Sequence, residues 1–149
     1  MKAQRTLVAI ADDEKARFFL NEGVGKGLTE VAGTSVGQFP DTTVEYADRP
    51  GRASGGKGAV GLHGIDPHMS LETLHRGRFA LHVIDALNDV WRTRKPDRLV
   101  IAAPPKMLGE LRDNLGQVLR DALFADLPKD LIKVPVHDLP GHFDGILVL

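Results

Sequence analysis

The apolar positions fall into short runs before residue 40 and into longer, helix-spaced sets after residue 70. Leu7 to Ala11 is a compact β-prone run, closed by the acidic turn Asp12-Asp13-Glu14. Ala16 to Leu20 is a second run of the same kind, so the two predict a β-hairpin. Asn21 to Gly27 carries three glycines and reads as a loop. Leu28 to Ala32 then reads as a weaker third strand, and Thr42 to Tyr46 as a possible edge strand. Asp66-Pro67 has the form of a helix start, an N-capping Asp followed by a Pro at the first helical position. From there a helix is expected to run to about Arg94, ended by Pro96. Phe79, Val83, Ala86, Leu87 and Val90 form its apolar stripe.

Leu99 to Ala103 is continuously apolar, the pattern of a strand covered on both faces. Pro104-Pro105 ends it and opens a helix with its stripe at Leu108, Leu111, Leu115, Val118/Leu119 and Ala122/Leu123, with a potential break at Gly116. Leu131 to Val136 is a candidate last strand, and the Gly- and Pro-containing tail has no clear period. Strands, a long helix, a buried strand and a further helix predict a single α/β domain over 1–149, a mixed β-sheet with flanking helices.

Composition narrows the chemistry. With 149 residues the chain has the length of one domain, and 19 Lys+Arg against 20 Asp+Glu leave a net charge of -1. No global field draws it to nucleic acid or to an anionic membrane. The absence of Cys excludes disulfides, zinc fingers, iron–sulfur clusters and thiol nucleophiles. No apolar run approaches the ~20 residues of a membrane span, so a cytoplasmic location is expected. No pair of carboxylates stands out as a general acid/base couple, so no catalytic residue and no cofactor is assigned.

Several motifs fail in context. Gly51-x-x-x-x-Gly56-Lys57 resembles a phosphate-binding loop, but Gly58 stands where the magnesium-binding Ser or Thr belongs. Gly33-x-Ser35-x-Gly37 matches a nucleophile elbow, yet no helical pattern follows it. His68, His75 and His82 share one helical face, but successive rings lie ~10 Å apart along the axis at 1.5 Å per residue. Glu72 with His75 has the one-turn spacing of a metal pair. His137, Asp138, His142 and Asp144 cluster in the tail without a helix to fix them. The clearest local feature is the segment 49–65, a Gly-rich stretch with six glycines and no acid. Arg49, Arg52 and Lys57 are suited to phosphate contacts, Gly55 and Gly56 to close backbone approach, and Arg76 and Arg78 to assisting from the helix. No aromatic residue in the segment offers a stacking surface for bases.

Taken together, Val8-Ala9-Ile10-Ala11-Asp12, Ala16-Arg17-Phe18-Phe19, Asp48-Arg49-Pro50-Gly51-Arg52, Asp66-Pro67-His68, the stretch Asp97 to Arg112 and Lys129-Asp130-Leu131 resemble the bacterial host-attachment family. That family is similar to the central domain of archaeal and eukaryotic peptide-chain release factors, which implies a ribonuclease-H-like fold. In those factors a Gly-Gly-Gln loop precedes a long helix; here Gly55-Gly56-Lys57 has the corresponding place, with Lys57 for the Gln. The substitution speaks against peptidyl-tRNA hydrolysis and leaves contact with the ribosome or structured RNA as the expected activity. The alternatives are a protein-binding or regulatory role in attachment to host cells, and a small hydrolase or metal enzyme built on Ser35, Lys57 or the histidines.

Overall fold

The computed structural model describes residues 3–42 and 69–149. Strand β1 (Thr6–Ala11) and strand β2 (Lys15–Asn21) form the expected hairpin, with Val8 opposite Phe19 and Ile10 opposite Arg17. The turn between them is built by Asp12. Its Oδ1 accepts from the backbone N–H of Glu14 at 2.8 Å and of Lys15 at 2.7 Å. Such side-chain-to-backbone bonds are what suit Asp to tight turns. Strand β3 (Thr29–Ser35) adds antiparallel to β2 and runs a few residues beyond the apolar pattern of Leu28 to Ala32.

The expected edge strand Thr42 to Tyr46 is corrected at its one described residue. Thr42 ends a 3-10 turn, Pro40–Thr42, and its hydroxyl donates to the carbonyls of Phe39 and Val36. Residues 43–46 lie outside the described residues. The helix start is also corrected. Helix α1 is Leu71–Arg94, and Ser70 is its N-cap, its hydroxyl accepting from the Thr73 N–H at 3.0 Å. Met69 and Ser70 are not helical, so the Asp-Pro signal at 66–67, itself outside the described residues, does not open this helix. Ser is as good a cap as Asp, and it is the one positioned at the first free N–H groups.

Strand β4 (Arg98–Ala102) pairs in parallel with β1, register Val8 to Val100. Helix α2 (Pro105–Asp113) follows, and the apolar stripe breaks at Gly116 before helix α3 (Gln117–Ala122). The last strand is not Leu131 to Val136. It is β5 (Leu123–Leu127), parallel to β4, and the chain turns at Leu131 with the Val134 N–H bonded to its carbonyl. The helical stripe hides this strand, because Leu123 falls on it while serving as the first strand residue.

The sheet order is β3-β2-β1-β4-β5. One face carries Leu7, Phe18, Leu99 and Ile101 against Phe79, Val83 and Leu87 of α1 and Met107, Leu111 and Leu119 of the shorter helices. The α1 stripe is as expected, with Ala86 and Val90 packed at its margin. Gly77 faces α2, where a Cβ would meet Glu110 Oε1 at 3.6 Å, an ordinary van der Waals contact. The other face holds Val8, Ile10, Phe19, Val100 and Ala102. No helix covers it. Leu131, Ile132, Leu139, Phe143 and Leu147 do so from a segment of turns and 3-10 helices. Arg17 fastens that segment, donating from Nη1 to the carbonyls of Ile132 at 3.0 Å and Val134 at 3.1 Å.

Candidate functional site

Parallel pairing points the carboxyl ends of β1 and β4 the same way, and in open α/β sheets ligands bind beyond that edge. An open cleft of about 520 Å³ lies there. The β1–β2 turn supplies Asp12, Asp13 and Glu14, α1 supplies Arg76, α2 supplies Lys106, and the chain beyond β5 supplies Asp130. Pro104, Pro105 and Met107 form its apolar wall.

Arg76 is the centre of this arrangement. It is only 6% exposed, and its Nε donates to both carboxylate oxygens of Asp13 at 3.0 and 3.1 Å. Glu72 Oε2, one turn back on α1, stands 3.8 Å from Nη2, an ion pair beyond hydrogen-bond length. The guanidinium is thus charge-compensated by Asp13 and joins α1 to the β1–β2 turn. Across the cleft, α2 begins with Pro104 as its cap residue and no side chain accepts from its first turn. Its second residue, Lys106, is exposed, and Met107 is fully buried.

The structure separates the residues singled out in the sequence. Arg76 lies in the cleft. Arg78, two residues on, turns away to the Pro40–Thr42 turn, where Nη1 donates to the Asp41 carbonyl at 2.9 Å. The Asp41 carboxylate lies 2.9 and 3.1 Å from His82 Nε2, whose ring stacks on Phe39 at 3.8 Å. Glu72 is turned to Arg76, and burial pushes the His75 imidazole below its ordinary value of 6.5, favouring the neutral ring. Among the described residues no group of three or more His, Asp or Glu is arranged to hold a metal ion. Ser35 ends the edge strand β3 and runs into a single 3-10 turn, Val36–Gln38, so the helix that an elbow requires is missing. His137 and Asp138 sit 3.6 Å apart on an exposed turn. Arg49, Arg52, Gly55, Gly56 and Lys57 lie outside the described residues. Sequence reasoning missed Asp13, Glu14, Lys106 and Asp130. A signal was present for all but Asp130: the two most apolar strand runs each end in charged or helix-starting residues.

No helix among the described residues is long and apolar enough to cross a membrane. No curated protein matches the chain. Among solved structures, a Ppx/GppA phosphatase of Aquifex aeolicus is similar at 10% identity with a TM-score of 0.35. The alignment covers 83% of this chain and 35% of the phosphatase, so the chain spans about a third of that protein's length. Residues 7–143 match the family described as protein required for attachment to host cells. That match takes in every described strand but for the first residue of β1, the three described helices and every residue lining the cleft, and the chain therefore belongs to the host-attachment family.

Proposed function

We propose that the chain is a non-enzymatic binding module for structured RNA, with the ribosome as the foremost candidate. Arg49, Arg52 and Lys57 supply the phosphate contacts, and Gly55 and Gly56 allow close backbone approach. One observation supports this reading most. The two flanks of the 43–68 segment are both held by the first half of α1. The Asp41 flank is held by Arg78 and His82, and the other flank by the Ser70 cap. Arg76 of the same half-helix lines the cleft. Both flanks are therefore anchored on the half-helix that also contributes to the cleft at the carboxyl edge of the sheet. Of the helix residues, Arg78 stands on the tether side and Arg76 on the cleft side.

The strand order, an antiparallel β1–β2–β3 meander with β4 and β5 parallel to β1, fits a ribonuclease-H-like arrangement. A Gly-rich segment ahead of a long helix fits the release-factor central domain. These placements support contact with RNA and not hydrolysis, since Lys57 replaces the Gln of the release factors.

Fluorescence anisotropy with a structured RNA tests the reading. Affinity should fall steeply with salt, and the R49A/R52A/K57A triple substitution should reduce the slope of log K against log [salt] by roughly 2–3, as expected for three lost phosphate contacts. Binding that ignores salt, or that survives the triple substitution, overturns it. The family description favours a second reading, a protein-binding role in attachment; affinity capture would then recover one protein in place of ribosomes.

A further inference from the structure

Buried donors in folded proteins nearly always have acceptors, and each exception calls for an explanation. Arg76 is such an exception. Its side chain is 7% exposed and its Nε is bonded to Asp13, yet among the described residues neither Nη reaches an acceptor within hydrogen-bond distance. Among the described residues the four Nη N–H groups of this buried guanidinium have no hydrogen-bond acceptor, Glu72 lying 3.8 Å from Nη2, and Arg76 lines the cleft. Two further donors converge there. The Leu108 N–H bonds to the Pro104 carbonyl, which leaves the Lys106 and Met107 N–H groups at the start of α2, and both residues line the cleft. A helix N-terminus with a neighbouring Lys and Arg is suited to an oxyanion.

The carboxylates of the cleft define what must accompany that oxyanion. Asp12 is occupied by the turn N–H groups and Asp13 by Arg76. Glu14 and Asp130 are exposed at the rim. They repel a bare anion but accept from hydroxyl groups attached to one. A ribose phosphate combines both features, and 520 Å³ accommodates it.

We propose that the cleft is a subsite for one ribose-phosphate unit, with the phosphate on Arg76, Lys106 and the α2 N-terminus, and the ribose hydroxyls on Glu14 and Asp130. This rests on the RNA reading above and makes it specific: Arg49, Arg52 and Lys57 attract the polyanion, and the cleft distinguishes RNA from DNA through the 2′-hydroxyl.

Two measurements on the full chain test it. In the first, ribose 5-phosphate, inorganic phosphate and ribose are titrated into ¹⁵N-labelled protein, following the Met107 amide and the Arg76 Nε signals. Ribose 5-phosphate should shift both signals saturably, at several-fold lower concentration than phosphate, and ribose alone should shift neither. Lys106→Ala, an exposed position, should weaken ribose 5-phosphate about tenfold, the loss of one charge-assisted contact. In the second, RNA and DNA hairpins of the same sequence are compared. The E14Q/D130N double substitution should abolish the preference for the RNA hairpin over the DNA hairpin, whereas R49A/R52A/K57A should weaken both hairpins alike. Absence of shifts with ribose 5-phosphate, or RNA preference retained in E14Q/D130N, overturns the subsite while leaving the RNA reading standing. Saturable ribose 5-phosphate binding without RNA binding supports the subsite and overturns the RNA reading.

Discussion

The Asp13–Arg76 ion pair ties α1 to the β1–β2 turn. A buried guanidinium that loses its counter-charge is costly, whereas removing the guanidinium along with its charge costs less. Asp13→Ala is therefore expected to destabilise the protein by about 2 kcal/mol, with the partial exposure of Asp13 keeping it at the low end for a broken buried pair. Arg76→Met should cost less, and urea midpoints of the two variants check the order. His75 supplies a pH dependence with a definite sign. Burial lowers its pKa from the ordinary 6.5, so the folded chain binds the proton less readily than the unfolded chain. The resulting stability is present above pH 6.5 and is lost as the pH falls through the lower folded value. His75→Gln should flatten the difference in urea midpoint between pH 7.5 and 5. At this level the sequence was informative about residue types and silent about partners. Arg76 stands out as a cation on a helix, but Asp13, Lys106 and Asp130 lie 63, 30 and 54 positions away from it, and no spacing rule connects them.

The elements that were readable are those whose pattern and burial agree. β1, β2 and β4 are apolar because both faces of the sheet are covered, and the α1 stripe follows from one buried face. β5 was not readable because Leu-Phe-Ala-Asp-Leu is short, contains the poor strand formers Ala and Asp, and shares Leu123 with the preceding helical period. The same chain holds a local conflict at the end of α1. Lys95 has φ 49° and ψ 57°, the left-handed conformation, while its N–H bonds to the Trp91 carbonyl at 2.8 Å. Glycine adopts this conformation without steric penalty and is the usual residue after a helix. Lys95→Gly is expected to raise stability by about 1 kcal/mol, a thermal shift of roughly 2–4 °C for a chain of this size. Differential scanning calorimetry measures it directly.

Across the whole molecule, the two faces of the sheet are sealed by different means. Helices cover one, and the 131–147 segment covers the other with large side chains on an irregular backbone. Phe143, with no exposed surface, is the largest of these. Phe143→Ala is expected to cost about 4 kcal/mol, much of the 5–15 kcal/mol that typically holds a domain together. Val148→Ala, at a side chain 64% exposed, should stay within about 0.5 kcal/mol. Chemical denaturation of the pair separates the sealing contacts from mere proximity to the tail.

The second core also has a schedule. It joins Val8 to Leu147, so its two halves are synthesised far apart in time. While the ribosome is still working, the helix-covered face has all of its parts long before the other does. The emerging chain must carry Val8, Ile10, Phe19 and Val100 uncovered until the final turns arrive. A chain in that state is exposed to aggregation and to capture by chaperones. Synthesis stalled before residue 131 should accordingly yield a sticky intermediate with the described helices in place, because the 131–147 segment is what covers this face.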